Sequence, residues 1–496
     1  MPAPFKKDPV GYNQRKLMAE NVFDLLPTDH DCFVYEDIFT QINTAEVENK
    51  YSMLGQRAYH PKLITAILIY AYSQGIFSSR KIEKRCREDL SFMYISHANC
   101  PDFRVLSDFR KENYNFFKSC FVQSVAIAKN LGMLSLGHVS LDGSKFYANT
   151  SKHKAASYKR LKENEAKLTK EIDDLLQKAE ICDSAEDKIY HNGKGYSIPD
   201  DLKVKEKRLA KIKRVKKELE DREKKINPDK AIEDSSQISY ADSQAKIMKT
   251  KGNFNYCYNG QISVDSKNQI IVGQHLTQSE NDKTELKNAL ADIKENTGLL
   301  PDKLSLDCGY ISAENITSLI SLNIDGYISA GKGENDIFGR DGEKINKYYF
   351  NYNSDSDKFT CPAGHVLKLK FIGKERVYKS DDKVCTYCKF QKRCVTKRGN
   401  RPTIYTDDKG IIIAAMKEKM QKDASKEIYR KRKIIVEPVF GQIKTNGFRR
   451  FSLRGIKKAG GEFSLVCAVS NFKKIVSKLK TEIDYALERK LAQVVS

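Results

Sequence analysis

The chain has 496 residues, 40% apolar and 31% charged, so it can build real cores across about two to four domains and its charge does not signal disorder. A formal net charge of +22 points to a polyanionic partner, either nucleic acid or an anionic membrane surface. No apolar run approaches the roughly 18 residues of a bilayer span, and Met1–Val10 lacks the apolar core of a signal peptide. The expectation is therefore a cytoplasmic protein with no membrane partner, its scattered cysteines reduced, and nucleic acid as the stronger candidate.

Residues 1–60 hold short apolar groups broken by turn residues, such as Val22-Phe-Asp-Leu-Leu-Pro27. From Pro61 the pattern turns helical: Leu63, Ile64, Ile67, Leu68 and Tyr70-Ala71-Tyr72 form a broad stripe that Gly75 stops. Ser78-Ser-Arg-Lys-Ile-Glu83 reads as the capped start of a second helix running to about Leu90, and a third spans Phe103–Val122. With Arg80, Lys81, Lys84, Arg85 and Arg87 on the second, residues 1–130 read as a helical domain. It suits either a helix-turn-helix-like DNA reader or an ordinary bundle with a wet basic face.

At His138 the chain changes character. Val139 and Leu141 alternate like a strand, and Asp142-Gly143 ends it with a carboxylate at the tip. From Lys152 to Asn227 the sequence is dense in Lys and Glu, with Leu161, Leu168 and Leu175 at sevens and Ile172 and Ala179 behind them. A return leg carries Leu202, Leu209, Ile212, Leu219 and Ile226, and Gly193, Gly195 and Pro199 punctuate the middle. Residues 152–230 thus read as an inserted antiparallel coiled-coil hairpin that carries no chemistry.

Residues 250–330 are α/β. Tyr258–Asp265 and Gln269–Gly273 pair as a hairpin, and Lys283–Asn296 is helical. Lys303-Leu-Ser-Leu-Asp307 is a second short strand ending in an acid and a glycine, before a helix from Ser312 and a strand over Gly326–Ala330. This order predicts a mixed sheet flanked by helices, with Asp142 and Asp307 at strand C-termini.

Residues 334–404 hold Cys361-Pro-Ala-Gly-His365, Cys385-Thr-Tyr-Cys388 and Cys394. That spacing suits one tetrahedral Zn²⁺ on Cys361, Cys385, Cys388 and Cys394, with His365 able to replace one thiolate. Zinc would close a zinc-ribbon-like insertion whose flanks, Tyr348–Tyr352 and Val366–Phe371, have little core of their own. Four reduced cysteines without metal are the alternative.

The segment Tyr429–Lys444 sets one acid, Glu437, among cations. If helical, it places Arg430, Lys433, Glu437 and Lys444 on one face and Ile434, Ile435, Val439, Phe440 and Ile443 on the other, although Pro438 should kink it. Alone it could be a solvated salt-bridge helix. With acids at two strand tips, Glu437 suits a site for two divalent cations acting on phosphates.

These blocks resemble the DDE transposases of bacterial insertion sequences, which have an RNase H-like catalytic core. Leu141-Asp-Gly-Ser-Lys, Leu306-Asp-Cys-Gly-Tyr with Ser312-Ala-Glu-Asn, and Tyr429–Lys444, similar to the Tyr-Arg-Glu-Lys signature, carry the match. Residue by residue, the resemblance makes Asp142, Asp307 and Glu437 the catalytic, metal-binding acids and Lys444 the helix lysine. The signature arginine position, four before the acid, holds Lys433, and Tyr429 lies eight residues before it rather than seven. The arginine's role therefore stays open among Arg430, Arg432 and Lys433, all counted with Tyr429 and Lys444 as DNA contacts.

The resemblance implies an RNase H-like core over 131–151, 250–333 and 405–480, and two Mg²⁺ ions, with Mn²⁺ able to substitute. It implies a polynucleotidyl transferase and endonuclease that cuts and joins double-stranded DNA at the inverted-repeat ends of an element, acting as a dimer or higher assembly. A similar cysteine-rich insertion in the resembling subgroup favours zinc. The alternatives are a cleavage-only or catalytically idle DNA-binding derivative of a transposase, and a zinc-stabilised RNA-binding scaffold.

Overall fold

The computed structural model describes residues 22–51, 58–151, 155–186, 200–226, 228–250, 252–329, 345–394 and 402–482. The chain divides into two compact units, Met1–Phe109 with Phe472–Ser496 and Arg110–Asn471.

The smaller unit is helical. After a 3₁₀ turn at Val22–Leu25 come α1 (Asp31–Thr40), α2 (Ala45–Glu48), α3 (Pro61–Ser73), α4 (Ser79–Glu88), α5 (Leu90–Ile95) and the start of α6 (Phe103–Glu112). In α3 the predicted stripe is buried except for the half-buried Leu63, Pro61 opens the helix and the His60 side chain accepts the Lys62 N–H. Tyr70 of α3 meets Tyr35 of α1 and Phe92 of α5 edge-on at 5.4 and 5.0 Å, so three helices share an aromatic core. Ser78 occupies the N-cap position of α4 but its side chain makes no cap hydrogen bond, contrary to expectation. On α4, Lys84, Arg85 and Arg87 pair one turn away with Glu88, Asp89 and Glu83, as on a solvated helix. The expected third helix is two: at Asn113 the backbone leaves the α region, separating α6 from α7 (Tyr114–Asn130).

The larger unit is built on β1 (His138–Tyr147), which continues past Asp142 rather than ending there. Next comes β2 (Ala155–Ser157), then helices α8 (Tyr158–Glu186) and α9 (Asp200–Ile226), then β3 (Gln237–Ser239), which pairs antiparallel with β2. Ion pairs Lys216–Glu165 and Lys205–Glu171, both 2.8 Å, show that α8 and α9 run antiparallel. Leu161, Leu168, Ile212, Val215 and Leu219 form their shared core. Leu175 and Leu209 are half-buried, while the expected turn at Gly193–Pro199 and the side chains of Ala179, Leu202 and Ile226 lie outside the described residues.

A six-stranded mixed sheet then completes itself with β4 (Lys246–Thr250), β5 (Asn253–Asp265), β6 (Ile271–Thr277), β7 (Lys303–Leu306) and β8 (Asp325–Ile328). β5 runs antiparallel to β1 on one edge and to β4 and β6 on the other. β7 is parallel to both β1 and β8, with α10 (Leu286–Thr297) and α11 (Ala313–Ser321) in the connections. Sequence reading missed β4, which is short and polar (Lys-Ile-Met-Lys-Thr). Ala330, expected in the last strand, lies outside the described residues.

The cysteine-rich region is more than the expected pair of flanks. β9 (Asn351–Asn353), β10 (Lys358–Thr360), β11 (Val366–Ile372), β12 (Arg376–Lys379) and β13 (Thr403–Thr406) form a five-stranded antiparallel sheet, with α12 (Asp382–Cys385) and α13 (Gln391–Cys394) before β13. It has a core, contrary to the expectation of little: Phe350, Tyr352, Phe359, Leu367, Tyr378 and Ile404 are buried, and Ile411, Ala414 and Ala415 of α14 (Asp408–Gln421) pack against them.

The chain ends with α15 (Asp423–Arg430), α16 (Arg432–Ile435), α17 (Glu437–Thr445) and α18 (Ile456–Glu482). Phe146 of β1 ties them to the main sheet. Its ring lies 5.5 to 6.2 Å from those of Phe440, Phe448, Phe451 and Phe463, and its full burial contributes on the order of 2–3 kcal/mol. Beside it the Tyr147 N–H donates to the Arg449 carbonyl, and the Phe451 N–H donates to the Tyr147 carbonyl. No helix among the described residues is long and apolar enough to cross a membrane.

Candidate active site

Strand register brings the first two acids together. The parallel pairing of β1 with β7 ends at Leu141 opposite Leu306, so the next residues on the two strands are Asp142 and Asp307. Asp142 is still in β1, paired across β5 with Ile262, while Asp307 leaves the sheet and accepts the Cys308 N–H at 2.7 Å to start a 3₁₀ turn. What stops at Asp142 is its neighbour's ladder, not its own strand.

The Tyr429–Lys444 segment is not one helix. It breaks at Lys431 and again at Val436, and Pro438 is accommodated in the first turn of α17 rather than as a kink. The broken path changes which cation faces the acids. Arg430 and Lys433 are exposed, whereas Arg432 is only 8% exposed. Its guanidinium lies 2.9 Å from an Asp142 carboxylate oxygen and 3.4 Å from one on Glu437. Ile435, Val439, Phe440 and Ile443 are buried as expected, but Ile434 is 66% exposed.

Electrostatics explain the arrangement. Burial pushes the Asp142 carboxyl up to about 6, opposed by Arg432 and the Gly143 N–H and reinforced by Asp307. Burial works against the charge on Arg432, yet Asp142, Asp307, Tyr429 and Glu437 together outweigh it and its pKa is raised. Tyr429 is half-buried and raised by burial, with Arg432 and Asp307 both acting on it. Lys444 of α17 donates to the Ser144 hydroxyl, and its ammonium lies 5.3 Å from the Phe146 ring centre.

A fourth acid escaped the sequence reading. Asp282, between β6 and α10, accepts from the side-chain amides of Asn259 and Gln261, both at 2.7 Å. It sits against the glycines that follow both acids: a β-carbon on Gly143 would stand 2.4 Å from the Gln261 amide nitrogen and 2.8 Å from Asp282, and one on Gly309 would stand 3.2 Å from Asp282. Those glycines were visible as Asp-Gly and Asp-Cys-Gly; what crowds them was not. Asn259 is fully buried, and among the described residues its side-chain oxygen has no hydrogen-bond partner.

Among the described residues no three His, Cys, Asp or Glu side chains stand close enough to share a metal ion. Near β1 the Arg432 guanidinium pairs with both Asp142 and Glu437. The donor set nevertheless fits a hard divalent cation, being carboxylate oxygens only, two of them neighbours in register. Elsewhere Cys361, Cys385, Cys388 and Cys394 line one small cavity together with His365. The Cys361 sulfur accepts the His365 N–H at 3.3 Å, and Gly364 takes φ +87 in the knuckle turn between them.

Residues 360–476 match the family described as Transposase DDE domain, and residues 20–112 match Transposase domain (DUF772). Both matches are to transposase families and support an insertion-sequence DDE transposase. The DDE match takes in Glu437 and Lys444 but neither Asp142 nor Asp307. No curated protein sequence matches it. Among solved structures, the cryo-EM structure of the piggyBac transposase synaptic complex with hairpin DNA is similar at 12% identity and a TM-score of 0.30, covering 90% of this chain and 75% of that one. A likeness at that level bears on neither fold nor chemistry.

Proposed function

We propose that this transposase cuts DNA at the inverted-repeat ends of its element and joins the ends to target DNA, with Asp142, Asp307 and Glu437 as the catalytic acids. The observation that carries this is that one guanidinium, Arg432, pairs with Asp142 and Glu437 and feels the charge of Asp307, the neighbour of Asp142 in register, although the acids are 165 and 130 residues apart in sequence. The strand arrangement, antiparallel β6-β5-β1 followed by parallel β7 and β8, supports an RNase H-like core.

Two divalent cations, Mg²⁺ or a substituting Mn²⁺, would supply activation of a water or 3′-hydroxyl and stabilisation of the departing oxygen. Asp142 and Asp307 would hold them, with Glu437 completing the set once Arg432 turns from the acids to a phosphate. Arg432 thus takes the signature arginine's role. Lys444, Tyr429, Arg430 and Lys433 bind backbone phosphates and set the strand end in line for attack. No side chain needs to act as a covalent nucleophile.

The four cysteines bind one structural Zn²⁺, and the paired helices α8 and α9 form a coiled-coil arm. DNA is double-stranded at both element ends and target, and a dimer or larger assembly pairs the ends.

The test uses a labelled element end, a target plasmid and Mg²⁺. Asp142→Asn is expected to lower cleavage and joining about hundredfold or more while end binding stays within about twofold. Undiminished cleavage by that variant would sink the assignment.

A further inference from the structure

The insertion sheet has one face packed on α14 and one facing outward. Phe359, Leu367, Tyr378 and Ile404 point into the core, so their neighbours along each strand point out. Register then lines up Lys358 of β10 with Lys368 of β11 and Lys379 of β12, three lysines side by side on adjacent strands. Like charges placed directly across strands repel, and no Asp or Glu occurs in any of the five strands to offset them. None of the three makes an ion pair among the described residues.

Further along, a bulge between Leu369 and Phe371 resets β11 so that Phe371 faces Val377 of β12, which in turn faces Tyr405 of β13. Phe371 is 62% exposed and Tyr405 56% exposed. The Phe371 ring packs over Gly373 in the β11–β12 turn, and the rest of its surface, like that of Tyr405, is open to a partner. The outward face thus carries two parallel rails, a cationic one about 10 Å long and an aromatic one roughly 7 Å from it.

We propose that this face is a binding platform for single-stranded DNA, with Lys358, Lys368 and Lys379 tracking phosphates while bases stack on Phe371 and Tyr405. A single strand presents its charges along one side and its π-faces along the other, which matches the two rails. A duplex offers phosphates alone and leaves the aromatic rail unused. The platform rests on the reading of the chain as a DNA-processing transposase and gives the cysteine-rich insertion a share in DNA handling.

The full chain is tested against a mixed-sequence oligonucleotide, single-stranded and as its duplex, by fluorescence anisotropy over a series of salt concentrations. Circular dichroism checks that the variants fold. Lys358→Gln/Lys368→Gln/Lys379→Gln is expected to reduce the single-strand salt slope by about 2, three phosphates at roughly 0.7 each. Phe371→Ala/Tyr405→Ala is expected to weaken single-strand binding at least about fivefold with the slope unchanged. A slope retained by the lysine variant, or lost on the duplex only, overturns the platform. If that same parent still cleaves and joins element ends, the transposase reading stands alone; a parent that binds neither DNA form overturns both.

Discussion

Arg432 is the residue on which the site turns. It neutralises Asp142, where burial makes an unpaired carboxylate costly, and reaches the more exposed Glu437 as well. Among the described residues its own buried Nε has no partner, so the acids it holds do not fully satisfy the guanidinium. Arg432→Ala is expected to lower stability without metal by about 2–3 kcal/mol. Because the variant loses its resident cation, added Mg²⁺ should raise its unfolding temperature by more than it raises the parent's. Equal shifts in thermal melts with and without Mg²⁺ would show that the arginine and the cation do not share a place. The acids themselves were legible, since each stands in a short apolar strand or a basic helix. Arg432 was one of three candidates, because selecting it depends on breaks at Lys431 and Val436 that periodicity does not reveal. Asp282 was not legible at all: its importance comes from Gly143 and Gly309, which are far away in the chain.

Among the elements, β6 is anchored by charge as well as by its ladder. His275 lies 2.8 Å from Asp292 and 3.1 Å from Glu285, which Thr277 also binds. Although burial opposes it, the pair of carboxylates carries the His275 pKa up to about 9, while Glu285 is held down at about 2 by His275 and its hydroxyl partners against burial. A histidine raised in the folded state stabilises fully below its unfolded value near 6.5, and that contribution is lost as pH rises through 9. The carboxylate's share holds above about 4.5 and fades as pH falls through 2. His275→Gln should therefore cost about 2 kcal/mol in denaturant unfolding at pH 6 and much less at pH 10. A cost that stays constant between those values would assign the role to packing. Elements with strong periodicity, such as α3 and α10, could be read from sequence. The five-stranded insertion sheet could not, because its strands are three to seven residues long and its core forms only when α14 packs beneath it.

At the level of the whole molecule, the helical arm is closed at its base. β2 and β3 pair from Ala155–Ser239 to Ser157–Gln237, so the insertion leaves and re-enters the larger unit at nearly one point. Its core of Leu161, Leu168, Ile212, Val215 and Leu219 is self-contained. Replacing residues 158–236 with a short glycine-rich turn should leave the main sheet folded, with a single cooperative melt and unchanged protection of β5 in hydrogen exchange. Collapse of that protection would show that the arm is needed for folding. The bridge between Tyr147 and the Arg449–Phe451 stretch has a different consequence, one of timing. The strand carrying Asp142 leaves the ribosome roughly 300 residues ahead of the stretch that bonds to its end, a delay on the order of 15–60 s. An amino-terminal fragment that stops short of Phe451 lacks the hydrogen bond from its N–H to the Tyr147 carbonyl at the end of β1. A product truncated or stalled between Tyr147 and Arg449 would keep β1 but lack both backbone hydrogen bonds that tie its end to the stretch after α17.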